Sequence, residues 1–197
     1  MTGPATDLDW VAGAELRGPA FAEPADPPPR LIAVGAVPLA AALARLARAA
    51  GWSPFVVDPR PRFATPQRFP GATVLVAWPR EGIAQAGGIE PSTAVVMLAH
   101  DPVLDDRALE IALRSSAVYV GAMGSRRTQT ARRERLSAAG LTEGELDRLA
   151  GPAGLELGAT TAADTALSIL AEIVAVAHAR SGGRLTAASG PIRTEAT

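Results

Sequence analysis

The 197-residue sequence contains no cysteine and no lysine, and both absences narrow the chemistry open to it. Without cysteine the chain forms no disulfide, no thiolate nucleophile and no cysteine-ligated metal site. Without lysine it has no Schiff-base residue, no lysine general base and no P-loop lysine. All nineteen basic residues are therefore arginines, and the net charge of −1 gives no basic field of the kind that attracts nucleic acid.

Long apolar stretches are also missing from the sequence. No run reaches membrane-spanning length, and the N-terminus lacks the charged start and apolar core of a signal peptide. We therefore expect a cytoplasmic protein that binds neither membranes nor nucleic acid. Residues 1–30, rich in proline, alanine and acidic groups, predict a flexible leader, and residues 181–197 predict a loose C-terminal tail.

The remaining residues, 31–180, predict one α/β domain. Short apolar runs alternate with helical patterns, which favours a Rossmann-like, doubly wound fold with a mainly parallel sheet and helices on both faces. The runs are unbroken, as in strands that are covered on both sides. The predicted strands are residues 31–34, 55–57, 73–76, 94–98 and 117–120.

Three further segments complete the predicted pattern. Residues 80–91 contain Gly87-Gly88 and predict mostly loop. A helix is predicted to begin at Asp105 or Asp106, with that residue as its cap. The last helix, residues 163–180, is apolar on two adjoining stripes, so we expect it to be largely buried.

The most informative run is Gly121-Ala122-Met123-Gly124-Ser125-Arg126-Arg127, between a predicted strand and a predicted helix. Gly121 and Gly124 give a turn without side-chain bulk, so that N–H groups can face a ligand above the strand. Ser125 is the predicted N-cap. Arg126 and Arg127 fall in the first helical turn, where the positive helix dipole disfavours cations. A bound phosphate would remove this conflict; a tight turn followed by two solvated arginines is the alternative.

A partial dinucleotide-binding fingerprint follows the first strand. Gly35 supplies the first glycine, but Val37 occupies the second glycine position, where a side chain blocks the approach of a pyrophosphate. Asp58 ends the second strand about twenty residues later, where ribose hydroxyls are bound. Arg60 could reach a phosphate or pair with Asp58. NAD(P) binding and a Rossmann fold with a filled loop both stay open.

Other polar residues lie at the carboxyl ends of strands or within helices. His100 and Asp101 follow the fourth strand and should face the same crevice as Gly121 and Gly124. With Asp105 and Asp106 they could bind a metal or move protons, or they form a hydrogen-bonded loop beside a helix cap. Ser168 and Glu172 form a polar line on the last helix that predicts an interior hydrogen-bond network or contact with another protomer. We assign no catalytic residue and no metal ligand.

Taken in order, these motifs resemble the Rossmann domain of the XdhC/CoxI family over residues 31–180. The most specific piece is Tyr-x-Gly-x-x-Gly-Ser-Arg-Arg. The matching segments are residues 58–61, 99–101 with Asp105, 119–127, 154–159 and 168–173. The chain departs from the family at Val37 and Pro38, where members usually carry a second glycine and a histidine. Members also commonly carry a separate N-terminal domain, for which residues 1–30 offer no counterpart.

The resemblance implies an accessory factor that binds molybdenum cofactor (molybdopterin) as transient cargo. Such factors help the cofactor acquire its terminal sulfur and hand it to a molybdenum hydroxylase such as xanthine dehydrogenase. The phosphate of molybdopterin agrees with the anion site predicted above. The predicted cofactor-binding residues are Gly35, Asp58, Arg60, His100, Asp101, Gly121, Gly124, Ser125, Arg126 and Arg127.

A hydroxylase subunit would be the client, a homodimer is left open, and the role is that of a maturation chaperone rather than a catalyst. Two alternatives remain. One is an NAD(P)-binding oxidoreductase. The other is a non-catalytic interaction module that docks on a hydroxylase subunit through its arginine-rich helix, residues 126–135.

Overall fold

The computed structural model describes residues 27–189, in which six strands form one parallel sheet in the order β3-β2-β1-β4-β5-β6. The strands are β1 (Arg30–Val34), β2 (Ser53–Val57), β3 (Thr73–Leu75), β4 (Thr93–Met97), β5 (Tyr119–Ala122) and β6 (Leu149–Ala150). The α-helices are α1 (Pro38–Ala49), α2 (Pro79–Gln85), α3 (Pro102–Leu113), α4 (Arg126–Ala138), α5 (Glu143–Leu146) and α6 (Ala162–Ala177). Most of the predicted leader and the end of the predicted tail lie outside the described residues.

Strand β1 shows how the sheet supports two cores. Successive side chains of a strand point to opposite faces. Leu31 and Ala33 pack in the core that contains α1 and α6, whereas Ile32 and Val34 pack in the core built by α3 and its neighbours. The predicted Rossmann-like parallel sheet with helices on both faces is therefore confirmed.

The strand order determines where a ligand crevice forms. Strands β1 and β4 are neighbours, although β2, β3 and α2 lie between them in sequence. The direction of winding therefore reverses between β1 and β4, and doubly wound sheets bind ligands beside such a point, outside the carboxyl ends of the strands. The loops after β4 and β5, which lead into α3 and α4, lie at this edge.

The prediction that residues 80–91 are mostly loop is wrong, because α2 occupies Pro79–Gln85. Proline at the first helical position and Glu81 in the first turn are ordinary helix-start signals. The Gly87-Gly88 pair favoured a loop, and Gly82 is itself an unfavourable residue in a helix interior. Its role is packing: a Cβ atom at Gly82 would collide with Val57 of β2.

Two helix predictions also need correction. Helix α3 begins at Pro102, and its N-cap is Asp101, whose carboxylate accepts a 3.0 Å hydrogen bond from Val103 N. Helix α6 is buried on one side only, because Leu167 and Val176 are 51% and 44% exposed. Part of the apolar surface of α6 is therefore not covered by the core. Within residues 27–189, no helix is both long enough and apolar enough to span a membrane.

Candidate functional site

The first loop, after β1, is closed by the chain's own contacts. Asp58 is fully buried, and its Oδ2 atom accepts a 2.8 Å hydrogen bond from Ala36 N. Gly35 lies so close to the end of β4 that an added Cβ atom would be 2.6 Å from Ala99 N. The glycine therefore allows the loop after β1 to pack directly against the end of β4.

Asp58 holds this loop together with Arg60. The Arg60 guanidinium donates to Oδ1 at 2.9 Å and to Oδ2 at 2.7 Å, and Arg60 N donates to Oδ1 at 2.9 Å. With the bond from Ala36, all four acceptor positions of the carboxylate are filled. Burial raises the pKa of Asp58, but these hydrogen bonds outweigh it and leave the pKa below its ordinary value. The predicted contact of Asp58 with a ligand hydroxyl therefore finds no free acceptor in this structure.

A cleft of about 690 Å³ lies between the N-terminal halves of α3 and α4. We call it the α3–α4 cleft. Its lining includes four predicted site residues, His100, Gly124, Ser125 and Arg127, together with Asp105 and Arg132. Its volume falls in the range of small-molecule sites. Gly35, Asp58, Arg60, Asp101, Gly121 and Arg126 do not line it.

The start of α4 presents a row of free donors at this cleft. Ser125 caps the helix as predicted, accepting a 3.2 Å hydrogen bond from Thr128 N. Gly124 has a φ of +133°, a conformation that favours glycine and turns the chain into the helix. Among residues 27–189, the backbone N–H groups of Gly124, Ser125, Arg126 and Arg127 have no hydrogen-bond acceptor. Such a row at a helix N-terminus is suited to binding an anion.

The carbonyl groups of the same loop are turned back onto α4. Gln129 Nε2 donates to Ala122 O at 3.1 Å and to Gly124 O at 3.5 Å. Arg132 donates to Met123 O at 3.2 Å and to Gln129 Oε1 at 2.5 Å. Three successive carbonyl groups are thereby held by side chains of α4, whereas the N–H groups of Gly124 and Ser125 have no acceptor among the described residues.

Arg132 also joins α4 to α3 through a buried ion pair. Its NH2 group lies 3.1 Å from Asp105 Oδ2, and both side chains are only 2% exposed. Burial raises the pKa of Asp105 to about 7, because the stabilisation by Arg132 offsets the loss of hydration only in part. Asp105 was predicted as a helix cap, and Gln129 and Arg132 were not predicted as site residues. Their spacing of three residues on α4 was the available signal, since it places both on one helix face.

Two predicted cofactor-binding residues, Gly121 and Arg126, lie outside the lining of the α3–α4 cleft. Gly121 is buried in β5, and an added Cβ atom would be 2.5 Å from the Tyr119 ring. Arg126 lines a separate cleft of about 270 Å³ with Gln129 and Arg133. The predicted clamp of Arg126 and Arg127 on one anion is therefore divided between two clefts. Neither arginine forms an ion pair within the described part of the chain.

The arginine-rich helix is less available for docking than its sequence suggests. Arg132 is buried, Arg133 contacts Glu143 and Asp147, and Arg135 contacts Asp106. Because these three guanidinium groups already have carboxylate partners in this chain, a docking partner would gain little from them. The predicted surface of five arginines is reduced to Arg126 and Arg127.

The two polar residues of α6, Ser168 and Glu172, belong to an interior hydrogen-bond network, which is one of the two roles predicted for them. Glu172 Oε2 accepts from the Tyr119 hydroxyl at 2.5 Å and from Gly154 N at 2.7 Å. Ser168 donates to Leu155 O at 2.5 Å. Burial, together with the hydrogen bond to Glu172, raises the pKa of Tyr119. These bonds fasten the loop around Gly154 to β5 and α6, away from the α3–α4 cleft.

The comparison with known proteins agrees with this architecture. The family model described as the XdhC Rossmann domain matches residues 31–173. A protein named molybdenum cofactor insertion chaperone PaoD, from Escherichia coli, is 31% identical over 75% of this chain and 40% of its own length. A Bacillus subtilis protein named as a probable xanthine dehydrogenase subunit is 31% identical over 78% of this chain and 44% of its own length.

A third relative and a solved structure extend the comparison. The Escherichia coli protein YqeB, described as uncharacterized, is 30% identical over 83% of this chain and 30% of its own length. A crystal structure described as a xanthine dehydrogenase from Bacillus halodurans superposes with a TM-score of 0.66 and 27% identity, over 81% of this chain and 45% of that one. The chain thus spans less than half the length of these relatives. With most of its described residues matched by the family model, the chain belongs to the XdhC family and carries that family's Rossmann domain.

Proposed function

We propose that this protein is an accessory factor that binds molybdenum cofactor and assists its sulfuration and insertion into a molybdenum hydroxylase. Family membership supports this proposal, as does the likeness to a relative named as a molybdenum cofactor insertion chaperone. The cofactor is cargo in this role: it is held, completed and passed on. The client would be a molybdenum hydroxylase of the xanthine dehydrogenase type, in keeping with the name of the Bacillus subtilis relative.

The single observation that carries the proposal is the row of free N–H groups at the start of α4. Gly124, Ser125 and Arg127 all line the α3–α4 cleft, and the Arg127 side chain adds a full positive charge. A phosphate bound there would accept several hydrogen bonds, of which those from a guanidinium are charge-assisted. The phosphate of molybdopterin matches these donors. The residues present therefore fit the cargo at its charged end.

The residues of this chain would bind and orient the cargo. His100, on the opposite wall of the cleft, can donate or accept one hydrogen bond. The 197 residues include no cysteine, so they offer neither a thiolate for the metal nor a persulfide as sulfur donor. We therefore place the sulfur donor outside these residues and assign to them the role of a holder. A homodimer stays open, and the cytoplasmic location stays a prediction.

Titration of the purified protein with molybdopterin under anaerobic conditions tests the proposal. We expect binding at micromolar concentrations, and a loss of at least about tenfold in Arg127→Ala, since a charge-assisted hydrogen bond is removed. Arg126→Ala is the matched control, because the neighbouring arginine lines the other cleft and should change the affinity much less. Absence of binding by the unmodified protein would contradict the proposal.

A further inference from the structure

The α3–α4 cleft contains a second feature besides the free N–H groups. In the part of the chain that the structure describes, Asp105 Oδ1 and Arg132 Nε are buried side-chain atoms without a hydrogen-bond partner. Leaving one buried polar atom unpaired costs about 1–3 kcal/mol, so folded proteins rarely keep such atoms without a reason. Here an acceptor and a donor are left together, on the two side chains that form the buried ion pair.

The geometry of the pair explains why both atoms are left over. The Nε–H bond and one NH2 hydrogen lie on the same edge of a guanidinium group, and that edge can pair with both oxygens of a carboxylate. In this structure only one of the two bonds forms, from Arg132 NH2 to Asp105 Oδ2. The other donor and the other acceptor flank that bond. A chemical group that offers a donor beside an acceptor would satisfy both.

We propose that the base of the α3–α4 cleft recognises the amide-type edge of a heterocyclic ring, a ring N–H beside a ring carbonyl, through Asp105 Oδ1 and Arg132 Nε. The ring N–H would donate to Asp105, and the carbonyl oxygen would accept from Arg132. This inference rests on the proposed function, in which the cargo is a phosphate-bearing pterin. Pterins and guanines both carry this edge, and both occur joined to a phosphate.

The other cleft residues suit such a ring. Pro102 and Met123 contribute apolar surface to the same cleft, against which a flat ring can pack. The phosphate site is close, because Arg132 also bonds to Met123 O, directly before Gly124. One arginine therefore connects the proposed ring site with the loop that would bind the phosphate. Because Asp105 Oδ1 and Arg132 Nε are buried, binding must part the Asp105–Arg132 contact or move a residue above it.

The experiment compares two nucleotides that differ only in this edge. Inosine 5′-monophosphate has the ring N–H and the carbonyl group, whereas purine riboside 5′-monophosphate has neither, and the sugar and phosphate are the same. Calorimetric titration at about pH 8, above the pKa of Asp105, keeps its carboxylate ionised. We expect inosine monophosphate to bind at least about tenfold more tightly, since hydrogen bonds to charged groups distinguish the two ligands.

Variants connect this preference to the residues. Asp105→Asn removes the charge with little change of shape and should reduce the preference to about twofold or less. Asp147→Asn is the matched control, because this aspartate contacts Arg133 outside the cleft and the preference should be unchanged. If Asp105→Asn fails to fold, the comparison of the two nucleotides on the unmodified protein decides alone.

The outcomes separate this inference from the proposed function. Equal affinities for the two nucleotides, or no binding of either, would overturn the ring site, even if molybdopterin binds through its phosphate. A clear preference without molybdopterin binding would overturn the proposed function and support a guanine-type ligand. Molybdopterin binding that is weakened at least about tenfold by Asp105→Asn would support the pterin.

Discussion

Replacing Arg132 by methionine is the most direct test of how the cleft is held. The substitution keeps much of the side-chain length but removes the charge, which leaves the Asp105 carboxylate buried without a partner. Both side chains are 2% exposed, so water cannot compensate for the loss. At about pH 9, where Asp105 is ionised in the unmodified protein, removing one partner of the buried ion pair costs about 3–5 kcal/mol, and near pH 7 the loss is smaller because Asp105 takes up a proton instead. With domain stabilities of about 5–15 kcal/mol, the variant should still fold but unfold at much lower urea concentration.

The pH dependence of this variant gives a second measurement. The pKa of Asp105 is already raised from 3.8 to about 7, and removal of Arg132 should raise it further. Between these values the native state keeps a proton that the unfolded chain has released, so stability falls as pH rises from about 4 to about 7. Arg132→Met should therefore extend this decline to higher pH, and lowering the pH should restore part of its lost stability.

Equilibrium unfolding in urea, followed by circular dichroism, measures both effects. Arg133→Met is the control, since the neighbouring arginine pairs with exposed carboxylates on the surface and its loss should leave the midpoint unchanged. The double variant Asp105→Leu with Arg132→Met removes both charges and should regain most of the stability. A loss below about 1 kcal/mol in Arg132→Met at about pH 9, or a double variant less stable than either single one, would refute the ion pair as a stabilising contact.

Three other predictions follow from single contacts. Gly121→Ala should lower stability by about 1–3 kcal/mol, because the new methyl group meets the buried Tyr119 ring; an unchanged urea midpoint would contradict this packing. Tyr119→Phe should cost about 1.5–3 kcal/mol in the same assay, through loss of the hydrogen bond to Glu172, and stability equal to the unmodified protein would refute the network. NADH fluorescence should not be enhanced by the protein, since Asp58 has no free acceptor and Val37 occupies the second glycine position; enhancement that Asp58→Ala abolishes would show the reverse.

Much of the fold was predictable because each strand carries its own signal. Buried parallel strands need unbroken apolar runs, and these runs placed five of the six strands. The sixth, β6, has only two residues, Leu149 and Ala150, and pairs on one side. Such a short strand is defined by its neighbour rather than by its sequence. Helix α2 does carry local start signals in Pro79 and Glu81, but no local pattern reveals the contact with β2 for which Gly82 is needed.

The site was predictable where backbone geometry depends on local residues. The turn at Gly124 and the cap at Ser125 follow from residue type and spacing, and both are present. The partners of charged side chains were not predictable, because they come from distant parts of the chain. Asp105 and Arg132 are 27 positions apart and meet only when α3 and α4 pack side by side. Spacing within one helix cannot distinguish a buried arginine from a solvated one.

The position of the cleft follows from how the first loop is filled. In a dinucleotide-binding Rossmann domain the acidic residue after β2 faces a ribose and the loop after β1 faces a pyrophosphate. Here Asp58 instead accepts from Ala36 N and from Arg60, so the acidic residue binds the loop itself. The crevice is thereby closed at β1 and β2 but stays open at β4 and β5, where the free N–H groups of α4 lie. Under the proposed function, the cargo would therefore bind at this open edge, beside the free N–H groups of α4.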